Sequence, residues 1–183
     1  MTYEIDIAGL KRELPICKVA DDLYIGAFVM FGDVELTVHC AAELLKRAPE
    51  YDCLIAPEAK SIPLVYEMAR QRGGEKFIIA RKKAKAYMQE VFVASVQSIT
   101  TQGVQNLYLD KSDAELLRGK RILIIDDVIS TGESLRATEN LVEQAGGIIV
   151  GRMAVLAEGA ANERDDIINL APLPLFNPDG SVK

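Results

Sequence analysis

Cysteine, histidine and long apolar runs are all scarce in this chain of 183 residues, and each scarcity removes a class of function. Cys17, Cys40 and Cys53 are an odd count with no Cys-x-x-Cys spacing. That argues against a disulfide framework or a zinc site and suits a reducing compartment. The single His39 cannot build a multi-histidine metal centre. No apolar run reaches the ~18 residues of a membrane span, and the opening MTYEIDIAGLKREL lacks the pattern of a secretory leader. The expectation is a cytoplasmic protein with no membrane partner. A basic excess is missing too. With a net charge of -6 and a pI near 4.9, the chain is a poor binder of nucleic acid, which needs a basic face. There is no internal repeat and no low-complexity linker. No G-x-x-x-x-G-K-[ST] occurs either, which excludes a P-loop kinase.

What is present is enough apolar residue, 49%, for one core in a single domain spanning 1–183. DVELTVHCAAELLKRA reads as a helix capped by Asp33, with Val34, Val38, Ala41 and Leu45 on one face. SIPLVYEMARQR is a second helix, with Pro63 in its first turn and Gly73 at its end. DCLIA, KFIIA, RILIID and IIVGRMAVLAE read as short aliphatic strands. ESLRATENLVEQA is a helix stopped by Gly146 and Gly147, and VFVASVQSI with VQNLYLD forms a hairpin. Uniformly aliphatic strands alternating with helices predict an α/β fold, with a mostly parallel sheet covered on both faces. Ligands then sit beyond the carboxyl ends of the strands, in the loops after Ala56, Ala80, Asp126 and Glu158.

The strand RILIID ends in two adjacent acids, Asp126 and Asp127. Like charges resist burial, so this pair is expected to face solvent or a ligand. VISTGES follows at once. Gly132 permits a tight turn, Ser130, Thr131 and Ser134 supply hydroxyls, and a helix begins near Glu133. Free N–H groups at a helix start, with hydroxyls beside them, form an anion cradle. A polyol held by two carboxylates, one turn from a phosphate, describes a ribose 5-phosphate.

The whole stretch RILIIDDVISTGES strongly resembles the phosphoribosyl pyrophosphate (PRPP) signature of type I phosphoribosyltransferases. The resemblance covers roughly residues 25–160. It implies a Rossmann-like core over 33–160, preceded by a small N-terminal hood over 1–32 and followed by a C-terminal segment over 161–183. It also implies that Asp126 and Asp127 bind the ribose hydroxyls and that Ser130, Thr131, Gly132, Glu133 and Ser134 bind the 5′-phosphate. Glu133 replaces a frequent glycine and would offer only its backbone N–H. APEAKSI resembles the family's pyrophosphate loop, placing Ala59, Lys60 and Ser61 there. The cationic run ARKKAKAY resembles an Arg-Lys-x-x-Lys element, with Arg81, Lys82 and Lys85 as PRPP contacts.

The hairpin resembles the family's flexible loop, with Ser95, Ser98, Thr100 and Thr101 meeting pyrophosphate. Phe28 or Phe31, in the hood segment LYIGAFVMFGD, is the candidate to stack on a base. The reaction implied is PRPP plus a purine giving nucleotide and pyrophosphate, with Mg²⁺ carried near Asp126 and Asp127 rather than in a protein cage. Asp126, Asp127 and Lys60 are the catalytic candidates. A homodimer is implied, and no general base is evident. The Glu-Ala-Lys triplet is close to the adenine enzymes, whereas SITTQG, without a Glu-Tyr pair, is closer to the xanthine enzymes. The strand IIVGRMAVLAEGA has no lysine to meet a 6-oxo group, so adenine is favoured. The alternatives are a xanthine-type enzyme and a catalytically weak PRPP-sensing regulator.

Overall fold

The computed structural model describes residues 1–88, 90–97 and 104–183. Its first elements are β1 (Thr2–Ile7), β2 (Leu10–Ala20) and β3 (Leu23–Gly26), an antiparallel run the sequence reading did not resolve into strands. The β1–β2 turn is made by Ala8 (φ 53) and Gly9 (φ 94). Ile5, Ile7 and Leu14 face the core, the alternation of a half-buried strand.

Helix α1 (Val34–Arg47) starts where Asp33 accepts a hydrogen bond from the Leu36 N–H at 3.0 Å. Its buried face differs from the expected one. Leu36, Thr37, Cys40, Ala41 and Leu44 are inside, while Val34 is 73% and Val38 40% exposed. Two apolar stripes share this helix, and only the one centred on Cys40 meets the sheet. The other borders a groove of about 240 Å³ with Pro63 and Tyr66.

Next come β4 (Cys53–Pro57), α2 (Ile62–Arg72), β5 (Ile78–Ala80), β6 (Val91–Gln97), β7 (Val104–Asp110) and α3 (Lys111–Leu117). Pro63 sits in the first turn of α2, and Gly73 ends it at φ 74. The chain continues through β8 (Arg121–Ile129), α4 (Glu133–Gln144), β9 (Ile148–Glu158), a short 3₁₀ turn, β10 (Ile168–Leu173) and β11 (Leu175–Phe176). Five strands form an all-parallel sheet in the order β10-β9-β8-β4-β5. β1, β2, β3 and β11 form a smaller four-stranded sheet. β6 and β7 pair antiparallel from Val91↔Asp110 to Gln97↔Val104, as the hairpin pattern required. Ser98, Thr100 and Thr101 lie outside the described residues.

The continuous aliphatic run of β8 follows from burial on both faces. Leu123 and Ile125 join the core beneath α1 and α2. Ile122 and Ile124 join the second core, with Leu135, Leu141 and Val142 of α4. The turn between α4 and β9 packs closely at Gly147, where an added Cβ would lie 2.8 Å from Val142 Cγ1 and 3.2 Å from the Leu117 carbonyl oxygen. Gly147→Ala is therefore expected to cost about 1–3 kcal/mol, the usual range for overpacking a filled core, measured by denaturant unfolding. An unchanged midpoint would refute the close approach.

Candidate active site

The pairing of β4 with β8 ends at Ile55↔Ile124, whereas the pairing of β8 with β9 continues to Ile129↔Ala157. A crevice therefore opens on the β4 side of the β8 tail. It coincides with the point where the connections diverge, since β4 leads through α2 to β5 on one side and β8 leads through α4 to β9 on the other. Parallel sheets bind their ligands at such a point.

Asp126 and Asp127 line this crevice, but not as a strand terminus. β8 runs on to Ile129, because Val128 and Ile129 still find partners on β9. The acids are only 8% and 5% exposed, so of the two expected surroundings, solvent or a ligand cleft, the pair takes the cleft wall. Three features make this tolerable. The Asp127 N–H donates to Asp126 Oδ1 at 2.9 Å. The Lys60 ammonium lies 3.0 Å from Asp127 Oδ2, a charge contact whose angle falls outside hydrogen-bond range. Burial, and then the neighbouring Asp127, push the Asp126 carboxyl well above the usual aspartate range, so the pair resists carrying two full charges.

On one side, a cleft of about 250 Å³ is bounded by Glu58, Lys60, Lys82, Asp126, Asp127 and Ser134. Lys60 extends over it from the β4–α2 loop, which contains a cis Glu58–Ala59 peptide, and also donates to the Phe28 carbonyl at 3.4 Å. Ala59 lines the same cleft. Ser61 is buried, and its hydroxyl donates to the Pro57 carbonyl at 2.6 Å, so it secures the loop.

Glu58, which the sequence reading passed over, fastens the two cationic loops together. It accepts from the Lys82 N–H at 2.9 Å and pairs with Arg81 at 3.3 Å. Burial opposes its ionisation, but the Lys82 N–H and the charges of Arg81, Lys85 and Lys82 prevail and hold it below the usual glutamate range. Arg81 is thus engaged within the loop, leaving exposed Lys82 on the cleft. The Lys85 N–H meets the Met88 sulfur at 3.4 Å.

On the other side of the acids, residues Ile129 to Leu135 wrap a small cavity of about 100 Å³. Gly132 takes φ 78 at the start of α4, a conformation a side chain would resist. The turn closes through Arg136 N–H to the Gly132 carbonyl, 2.9 Å, and Thr138 Oγ1 to the Ser134 carbonyl, 2.8 Å. Ser130, Thr131 and Ser134 ring this cavity at the positive end of the helix, while Glu133 is buried in the first turn.

A family model for the phosphoribosyl transferase domain matches residues 37–170. The chain belongs to the phosphoribosyltransferase family. It is 28% identical to the adenine phosphoribosyltransferase of Petrotoga mobilis over 138 residues, 73% of each chain. Against the xanthine phosphoribosyltransferase of Brevibacillus brevis it is 34% identical over 120 residues, 58% of each. Among solved structures, the adenine phosphoribosyltransferase of Thermoanaerobacter pseudethanolicus superposes with a TM-score of 0.65 at 24% identity, covering 78% of this chain and 84% of that one. The Saccharomyces cerevisiae enzyme gives 0.63 at 18%, covering 92% and 93%. These likenesses bear out the type I phosphoribosyltransferase fold.

The remaining candidates of this phosphoribosyltransferase are placed unevenly. Phe28 is 4% exposed and packed in the main core, so its ring is committed there and only its carbonyl reaches Lys60. Phe31 is 52% exposed, among the surface apolar residues near α1. Ser95 donates to Asn106 Oδ1 across the hairpin at 2.7 Å. His39 is a packing histidine, its Nε2 2.7 Å from the Ala8 carbonyl oxygen. Among the described residues no group of three or more potential ligands is gathered for a metal, and no helix is long and apolar enough to cross a membrane.

The raised Asp126 carboxyl makes a prediction about stability. The native state holds its proton to a higher pH than the unfolded chain, which releases it near pH 4. Native stability is therefore lost as pH rises from that value through the raised native one. Asp126→Asn removes the loss while keeping an oxygen for the Asp127 N–H. The variant is expected to melt above wild type at pH 7, with the gap closing below about pH 4, in thermal unfolding followed across pH. A variant no more stable at pH 7 would contradict the assignment.

Proposed function

We propose that the protein is a purine phosphoribosyltransferase. It would convert PRPP and a purine base, with adenine favoured, to the nucleoside 5′-monophosphate and pyrophosphate. The observation that carries this reading is the order of groups across one crevice. Lys60 and Lys82 lie on the β4–β5 side, the acid pair is on β8, and the hydroxyl-lined turn opens α4. A ribose with a diphosphate at one end and a phosphate at the other needs that order. The relatives named as adenine and xanthine enzymes support a purine.

In this reading Asp126 and Asp127 accept from the ribose hydroxyls and fix the sugar. Ser130, Thr131, Ser134 and the backbone N–H groups of the turn hold the 5′-phosphate. Lys60 and Lys82, with Lys85 nearby, meet the diphosphate and favour its departure as the C1′–O bond breaks toward an oxocarbenium-like state. Lys60 exchanges Asp127 for the diphosphate, a move open to a side chain 48% exposed. The donors fit a Mg²⁺ that arrives on the diphosphate, because two carboxylates with water and phosphate oxygens suit that ion better than a protein cage. When bound, the ion neutralises charge on the leaving group.

The same reading includes a homodimer and a cytoplasmic location. Supporting the dimer, Val29, Phe31, Val34 and Tyr66 are all more than half exposed. Supporting the location, all three cysteines are free.

The direct test supplies PRPP, Mg²⁺ and each purine or pyrimidine base, and measures pyrophosphate release. Purines alone should react, adenine fastest. Turnover of uracil or orotate would overturn the purine reading, and PRPP binding without transfer would leave a PRPP-sensing protein. Lys60→Ala and Lys82→Ala should each slow transfer by about 10²–10³-fold, the usual weight of a preorganised charge at a leaving group. Binding of the nucleotide product without pyrophosphate should change far less. Equal losses for both ligands would place these lysines elsewhere in the mechanism.

A further inference from the structure

Arg164 lies outside the signature stretch, and its guanidinium comes to the phosphate turn from a different segment. The 3₁₀ turn Gly159–Glu163 closes with the Arg164 N–H on the Ala161 carbonyl at 3.3 Å. Ala161 on one side and Ile167 on the other are buried in the second core with Leu135 of α4, so the loop between them is anchored at both ends. Asp166 takes the guanidinium as a fork, from Nε at 2.9 Å and from Nη2 at 2.7 Å. Arg152 faces Asp166 in turn at 3.6 Å and pairs with Glu139 of α4. The third nitrogen, Nη1, lies against Gly132, where an added Cβ would be 3.2 Å from it. Among the described residues no hydrogen bond engages Nη1.

That placement is unfavourable while the turn is empty. α4 presents the positive end of its dipole and its free N–H groups there, so a guanidinium meets like charge. A second one stands nearby, since exposed Arg136 donates from Nη2 to the Thr131 carbonyl at 3.3 Å. The acids that face Arg164 are Asp166 and Glu139, and both are shared with Arg152, so these four charges cancel among themselves. Glu133, buried in the first turn of α4, is not one of the acids facing Arg164. An anion in the cavity of about 100 Å³ wrapped by Ile129 to Leu135 turns the same placement into an attraction. Gly132 thus has a second use beside its φ of 78, because the missing side chain lets the guanidinium come up to the turn.

We propose that Arg164 is a binding residue for the 5′-phosphate, reaching it past Gly132 with Nη1 while Asp166 holds the rest of the guanidinium in place. The inference rests on the transferase reading. It adds a cation from the C-terminal segment to a phosphate site that otherwise has only hydroxyls and backbone N–H groups. Hydrogen bonds from an ionised donor to phosphate are strong, and a guanidinium favours the doubly charged phosphate over the singly charged one.

The test titrates wild type, Arg164→Gln and Arg164→Lys with ribose 5-phosphate and follows the bound phosphate by phosphorus NMR across pH. A free phosphate monoester loses its second proton near pH ~6, and in wild type the bound group should lose it at lower pH. Arg164→Gln should weaken ribose 5-phosphate by about tenfold or more, move the bound titration back toward the free value, and leave pyrophosphate binding unchanged. Arg164→Lys, which keeps the charge without the fork, should fall between the two. A Gln variant that binds as wild type does overturns the inference. So does one that loses affinity while the bound phosphate titrates as in wild type, which would make Arg164 a strut, and so does one that fails to fold by its thermal melt. An unmoved titration beside normal transfer overturns this inference alone, whereas a wild type that binds ribose 5-phosphate but transfers to no base overturns the transferase reading itself.

Discussion

Two carboxylates side by side, more than nine-tenths buried, are the constraint around which the rest of the crevice is arranged. Their repulsion and desolvation are answered by a raised Asp126, by the Asp127 N–H and by the Lys60 ammonium 3.0 Å away. Lys60 can do this only because the β4–α2 loop is held in place. That loop is fixed in turn by the Ser61 hydroxyl on Pro57 and by the Glu58 N–H on the Ala80 carbonyl at 2.8 Å. Each layer of hydrogen bonding exists to aim the next charge inward.

Glu58 extends that logic to the second cationic loop. Its carboxylate takes the Lys82 N–H and the Arg81 guanidinium, and Arg81 exchanges backbone hydrogen bonds with Tyr108 of the hairpin at 2.8 Å each. Three segments far apart in sequence are thus joined through one acid. The cations left facing the cleft are lysines, compact point charges able to change partners, while the arginine serves as a strut.

The parallel sheet was legible in the sequence because burial on both faces demands unbroken aliphatics, and RILIID and KFIIA have them. Helix boundaries were legible where a residue's signal is local, as with Asp33, Pro63 and Gly73. The turn that opens α4 was legible because Gly132 supplies its positive φ and hydroxyls ring it. Three features were not. Asp126 and Asp127 looked like a strand end because propensity counts adjacent acids against a strand, whereas pairing with β9 carries β8 three residues further. The buried face of α1 was misplaced because both its stripes are apolar and only the neighbouring elements choose between them. Phe28 and Glu58 act through the fold, one as core and one as a latch, and no local pattern distinguishes those roles. The alternation of TYEIDI did carry a strand signal, with Ile5 and Ile7 inward.

The smaller sheet draws its fourth strand from residues 175–176, which pair with β3 at Leu175↔Ile25 and Phe176↔Tyr24. Closing a contact across that much chain is entropically expensive and slow. β11 also follows directly from β10, the edge of the parallel sheet, so its pairing with β3 ties that edge to the smaller sheet. A segment carrying β1 to β3 alone would be a meander without its fourth strand. The cavity lined by Tyr3 near one end of the chain and by Leu175 and Lys183 at the other is thus complete only when β11 has docked on β3.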